Sequence, residues 1–350
     1  MNEIIDVGHN TEKAKEGDKM LNKPTSVEMS QNSFISKWKK QFNLTTMAPL
    51  IALIILLILS AIASEHFLIP RNLTNVLRQV SYTGIIALGM TFVIIAGGID
   101  LSVGSMLALV GVLVIMLLNY FGDGWMAVMI AISAAMALGA FFGAVNGWLT
   151  TKGKITAFVA TLATMSIFRS FTLYISDAGE MVSQNNHYSD VGTGYFLGLP
   201  VPVWVFLFLA FVGHILLRHT AFGRHICAVG SNPKVAAYSA INVSKVYFLS
   251  FVILGFTVGI SAVMLSSRLN SVSPGDAGLF YELDAIAAVV IGGTALSGGK
   301  GTLWGTVIGA IILGVINNML NLSGVSPYLQ GAVKGLVILI AVLMQYKRAQ

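Results

Sequence analysis

Charge is what this 350-residue sequence has least of: Asp, Glu, Lys and Arg make up only 10% of it, against 55% apolar residues. A soluble domain carries about a quarter charged residues. Too little polar surface is left to cover a water-soluble fold of this length, so the bilayer is the expected solvent. Cysteine is nearly absent, and the single Cys227 excludes an internal disulfide and a thiolate metal cluster. The six histidines lack the HExxH spacing of a zinc hydrolase. The net charge is +6, but the basic residues lie between apolar runs and form no patch, so no nucleic-acid partner is expected. The segment Gly298-Gly-Lys-Gly-Thr302 is not a phosphate loop. Thr294 stands where the motif needs its first glycine, and Gly301 where it needs Ser or Thr.

What is abundant is long apolar sequence. Residues 1–46 form a polar tail without hydrophobic period, expected to be mostly disordered. At its end Phe34, Trp38 and Phe42 recur among Lys37, Lys39 and Lys40, so 34–42 reads either as an interfacial helix against anionic lipid or as a solvated basic linker. Residues 47–350 read as an all-α, polytopic membrane domain. A crossing helix needs about 20 residues, and about ten spans are expected, near 48–64, 81–98, 103–120, 125–150, 155–176, 200–217, 246–267, 284–297, 303–322 and 330–346. The eighth is short, and 97–104 could re-enter instead of crossing. Ala61–Ser64 resembles a signal-peptidase site, but the long polar tail before it argues for an uncleaved first span.

Of the 21 Lys and Arg, seven lie in the tail and nine on the loops and terminus assigned to the same side, whereas three (Arg71, Arg78, Arg268) lie opposite. Positive charge accumulates in the cytoplasm, so both termini are expected to be cytoplasmic.

Candidate chemistry concentrates where helices should break. Gly97-Gly-Ile-Asp-Leu-Ser-Val-Gly104 places Asp100 and Ser102 between two apolar runs. Irregular backbone at membrane depth survives only against protein or a watery cavity, and an intramembrane acid is a functional candidate. Asp100 either caps the following helix or serves the translocation pathway, and the two roles are compatible. Gly292-Gly-Thr-Ala-Leu-Ser-Gly-Gly299 repeats the G-G-x-x-L-S-x-G pattern, suggesting interrupted helices in two halves of one architecture. Gly139, Gly143 and Gly147, and again Gly301, Gly305 and Gly309, recur every four residues as close-packing faces. Asn146, Asn317, Asn318 and Asn321 are polar at membrane depth; interhelical bonding and a pathway role both remain open for them. Arg169 is expected to snorkel outward or pair with an outer carboxylate. Glu282 and Asp284 are expected at the outer mouth, placed for a solute's hydroxyls or a docking protein.

The longest internal polar loop, 218–245, contains Asn232-Pro233, a cap followed by proline at the first helical position. Val235, Ala236 and Ala237 continue a short helix that Ser244-Lys245 closes, suited to docking in another protein's groove or serving only as a connector.

Three stretches, IALGMTFVIIAGGIDLSVGS (86–105), FGRHICAVGSNPKVAAYSAINVSKV (222–246) and the run from Tyr281 to Gln330 beginning YELDAIAAVVIGGTALSGGKGT, resemble the ribose-type permeases of ABC sugar importers, over about residues 45–348. The resemblance implies a permease in the bacterial inner membrane, pairing with a second permease subunit and taking sugar from a periplasmic or lipid-anchored binding protein. It implies a cytoplasmic ATP-binding subunit that holds ATP and Mg²⁺, leaving this chain without cofactor or enzymatic activity. The coupling region it implies carries Gly223, Asn232, Pro233, Ala236, Ala237 and Ala240. The family usually has glycine where Ala240 stands, and alanine is expected to firm the coupling helix. Asp100, Ser102, Asn146, Arg169, Glu282, Asp284 and Asn317 are the pathway candidates. An ion-coupled secondary transporter, with Asp100 as its coupling group, is the alternative.

Overall fold

The computed structural model describes residues 44–349; the 34–42 segment and most of the polar tail lie outside them. From residue 49 onward the described chain forms one compact unit. Each apolar run folds as a helix, at the expected places: α1 (Leu44–Ala63), α2 (Pro70–Ala96), α3 (Val103–Phe121), α4 (Trp125–Thr151), α5 (Ala157–Ile175), α7 (Val201–His219), α10 (Val243–Leu269), α11 (Tyr281–Ile291), α12 (Leu303–Leu322) and α13 (Pro327–Ala349). Three short helices, α6 (Tyr188–Thr193), α8 (Ala221–Ser231) and α9 (Pro233–Tyr238), lie between them, with two-residue strands β1 (Met181–Val182), β2 (Tyr195–Phe196), β3 (Leu199–Pro200) and β4 (Ser271–Val272).

Seven of these helices (α2, α3, α4, α5, α7, α10 and α12) are long and apolar enough to cross a membrane. Of the about ten spans expected, the first and last show apolar stretches of Ala48–Ala63 and Leu329–Leu343 among the described residues. The eighth, α11, has 11 residues, about 16 Å at 1.5 Å per residue, half of a hydrocarbon crossing. Ahead of it the chain is a two-residue strand followed by turns. After Asn270 ends α10 in the left-handed region (φ 52°), residues 271–280 double back beside α3. Val272 lies against Gly111 and Gly278 against Gly104, while β4 pairs with β1. Residues 97–102 form a tight turn between α2 and α3.

Helix α2 is the axis of the unit, with Ile85, Ile86, Met90, Ile94 and Ile95 fully buried. A helix apolar all round belongs inside, and α3, α10 and α12 wrap it, while α4, α5 and α7 expose much of their surface. The glycine stripes are packing faces. A Cβ on Gly143 would come within 3.0 Å of the Gly255 Cα of α10, and one on Gly139 within 2.9 Å of Gly259. Gly305 and Gly309 meet the α11 backbone at Gly292 and Ala288. Without a hydrophobic drive in lipid, backbone approach of this kind holds helices together.

At the end of the unit opposite α8 and α9, Asp123 accepts hydrogen bonds from the Asn186 backbone N–H (2.9 Å) and side-chain amide (3.0 Å). Those bonds hold its carboxyl below the usual carboxylate range.

Candidate functional site

The turn between α2 and α3 is built around a buried carboxylate. Gly97, left-handed at φ 92°, closes α2. Three residues later Asp100 Oδ1 accepts from the Ser102 backbone N–H (2.8 Å) and hydroxyl (2.7 Å), and Oδ2 accepts from Asn146 Nδ2 of α4 (3.0 Å). Asn146 also donates to Ser102 Oγ (2.8 Å). Asp100, Ser102 and Asn146 are all fully buried. Thr161 of α5 accepts the Leu101 N–H at 3.1 Å. One carboxylate thus ties the turn to α4, and a threonine ties it to α5. The capping option left open by the sequence is not realised: Ser102 is itself the N-cap of α3, without a side-chain cap bond, and Asp100 instead closes a local turn onto the Ser102 N–H. Among the described residues Asp100 has no ion-pair partner, and no group of His, Cys, Asp and Glu is arranged for a metal.

The carboxylates of α11 sit elsewhere than expected. Asp284 is not at a mouth but buried, 2.8 Å from Lys334 Nζ of α13, while its Oδ1 has no hydrogen-bond partner. Glu282 lies beside Gly104 at the start of α3. Arg169 neither snorkels nor bonds a carboxylate directly. Its guanidinium donates to the carbonyls of Pro274 (2.6 Å), Gly275 (3.4 Å) and Ala277 (3.0 Å), pinning the doubled-back segment to α5. Beside that segment lies a cavity of about 180 Å³ lined by α3, α10, Ser271, Ser273, Asp276 and Tyr281. Asn318 exchanges two hydrogen bonds with Asn72 (3.0 and 2.7 Å). Asn317 is buried with its Oδ1 unpartnered, and Asn321 is exposed. Lys334 and the carbonyl partners of Arg169 were not singled out from sequence; only a basic residue at membrane depth hinted at the first.

The polar loop 218–245 is largely helical. Thr220 caps α8 by accepting the Gly223 N–H at 3.3 Å, and Gly223 is needed where α8 folds back on α7, since a Cβ there would strike the Leu217 carbonyl. The Asn232 cap is present, with Oδ1 accepting from Lys234 N (3.0 Å) and Val235 N (3.1 Å) and Pro233 at the first helical position. Helix α9 nevertheless stops at Tyr238, before Ser244-Lys245, which fall inside α10. Ala236 alone is buried; Ala237 is exposed, as are Val235 at 56% and Tyr238 at 90%. Cys227 on α8 is half-buried, which raises its thiol above the usual range and keeps it protonated.

Ala240 overturns the expectation of a firmer helix. It lies beyond the helix end at φ 59°, with Ile241 N–H bonded to the Ala236 carbonyl (3.1 Å), the arrangement in which glycine normally ends a helix. A Cβ there costs about 1 kcal/mol. Ala240→Gly is therefore expected to raise thermal stability by about 1 kcal/mol without loss of uptake; unfolding of the detergent-solubilised chain checks it, and an unchanged or lower midpoint contradicts it.

Residues 72–342 match the family model described as "Branched-chain amino acid transport system / permease component". The chain belongs to this permease family. It is 46% identical over 305 residues to the ribose import permease protein of Bacillus subtilis, covering 87% of this chain and 93% of that one. The ribose import permease protein of Haemophilus influenzae is 43% identical over 84% of this chain and 90% of its own. The D-allose transport system permease protein of Escherichia coli is 37% identical over 92% and 96%. No solved structure gives a significant match. This permease is thus a multi-pass membrane protein, and the broken helices and exposed α9 are features of a transport subunit.

Proposed function

We propose that the chain is the membrane-spanning permease subunit of an ATP-driven importer, carrying a monosaccharide of the ribose type across the bacterial inner membrane. The observation that carries this is the identity of 42–46% with ribose import permeases over more than four-fifths of the chain, alongside allose, xylose and arabinose permeases. Both termini face the cytoplasm. Helix α9, with Asn232, Pro233, Ala237 and Tyr238 exposed, docks a cytoplasmic ATP-binding subunit that holds ATP and Mg²⁺; a periplasmic or lipid-anchored protein delivers the sugar. Of the pathway candidates, Asp100, Ser102 and Asn146 hold the α2–α3 break, Arg169 holds the 271–280 segment, and Glu282, Asp284 and Asn317 lie on α11 and α12; direct contact with sugar falls to another surface. Helix α5 is the least apolar of the seven spans and shares the lowest burial among them, the reverse of what lipid demands. Its exposed face carries Ser166 and Ser170, hydroxyls that suit a sugar passage facing a second permease subunit.

Ion coupling through Asp100 is disfavoured, because its oxygens are already occupied by donors. Sugar uptake into cells carrying this chain, with and without the ATP-binding subunit and with the proton gradient collapsed, separates the readings. The importer requires uptake to vanish without the ATPase and survive the uncoupler; the opposite pattern makes the chain a secondary transporter.

A further inference from the structure

The two G-G-x-x-L-S-x-G breaks lie far apart in sequence yet touch, and a third segment is wedged against both. The Gly299 N–H donates to the Ile95 carbonyl at 2.8 Å, joining the end of α2 to the loop after α11. Gly230, near the end of α8, lies so close to the Ile95 carbonyl and the Gly299 amide that a Cβ would strike both. A Cβ on Gly298 would come within 2.9 Å of the Gly230 carbonyl and 3.2 Å of the Gly97 Cα, and one on Gly299 would be 3.0 Å from the Ser231 Cα. Gly97, Gly298 and Gly299 all have positive φ (92°, 86° and 79°), so the contact uses backbone shapes that side chains disfavour.

Ser231 is followed directly by Asn232, which is both the end of α8 and the cap of α9. No slack separates the docking helix from this joint. From the joint, one branch leads through residues 97–102 to the Asp100–Asn146 bonds, and the other through 292–302 to the half-helix α11 and to α12. Packed backbone transmits displacement because it cannot compress.

We propose that Gly230 and Ser231 are positioning residues for transport: they form a rigid joint that carries motion of the ATPase-facing helix α9 to both membrane breaks at once. The proposal rests on the reading of α9 as the ATPase contact. Neither residue touches sugar or nucleotide in this scheme.

The test uses the assembled importer in proteoliposomes, with ATP hydrolysis and sugar uptake measured together. Gly230→Ala prises the joint open from within. Ser231→Leu does so from an exposed position facing Gly299, where folding is spared. Both are expected to cut sugar transported per ATP hydrolysed at least tenfold, with hydrolysis within about twofold of the parent, while Ser231→Ala behaves as the parent. Should Gly230→Ala fail to reach the membrane, Ser231→Leu decides. Unchanged transport per ATP in Ser231→Leu overturns the joint, as does a parallel fall of hydrolysis and uptake, or absence of that chain from the membrane, since each marks a merely structural contact. A Val235→Ala, Tyr238→Ala double variant tests the underlying reading separately: it is expected to lose the bound ATP-binding subunit, and full retention of that subunit with normal uptake removes the docking role of α9 whatever Ser231→Leu does.

Discussion

Lys334→Met is expected to cost the folded permease about 3–5 kcal/mol, the range for removing one partner of a buried ion pair. The pair spans 2.8 Å, with the Asp284 side chain 4% and the Lys334 side chain 16% exposed, and it joins the half-helix α11 to the last helix α13. Asp284 Oδ1 already lacks a partner, so no second donor takes over when the ammonium is gone. A loss of this size is a large part of a total stability of about 5–15 kcal/mol, and it should appear as a lower unfolding midpoint and a smaller monodisperse fraction in detergent. Asp284→Asn combined with Lys334→Met removes both charges and should recover most of the loss, because a neutral amide is far cheaper to bury than an unpaired carboxylate. A Lys334→Met chain as stable as its parent would mean that the ion pair does not hold α11 in place.

The helices were legible in sequence because lipid admits few alternatives: a run of about 20 apolar residues must satisfy its own backbone. What composition could not distinguish is a crossing from a half-crossing. The run after Asp284 is as apolar as its neighbours, but its helix is preceded by a strand and a series of turns over residues 271–280, satisfied by β1 and by the Arg169 guanidinium. Those partners are about a hundred residues away, and no local pattern names them. The Asn232 cap was legible because an Asx cap and proline act within three residues. The end of α9 was not. Ala240 is helix-compatible by propensity, and only its left-handed conformation shows that a position suited to glycine ends the helix there.

Polar residues at membrane depth were legible as exceptions but not as pairs. Asn72 and Asn318 are 246 positions apart, beyond the reach of any local pattern. The repeated G-G-x-x-L-S-x-G pattern marked two breaks correctly. That they meet each other and Gly230 follows from the packing of α2, α8 and the 292–302 loop, which sequence spacing does not encode.

Asp100→Ala and Asp100→Asn together decide what the buried carboxylate does. In the alanine variant the Ser102 N–H and the Ser102 hydroxyl lose their acceptor, and Asn146 keeps only Ser102 Oγ. Orphaned buried donors cost about 1–3 kcal/mol each, so a loss on the order of 2–5 kcal/mol is expected, with the α2–α3 turn released from α4. Asparagine keeps one acceptor oxygen for Ser102 but turns a donor toward Asn146, so its loss should fall between parent and alanine. If Asp100 is structural, uptake falls in proportion to the folded fraction across the series, and the asparagine chain that does fold transports normally. If the carboxylate handles sugar or an ion, the asparagine chain loses far more uptake than its folded fraction accounts for. Because Asp100 is fully buried and its oxygens are already bonded to donors in this structure, the first outcome is the one the geometry requires; the second would mean that the turn opens during transport and frees the carboxylate for the passage.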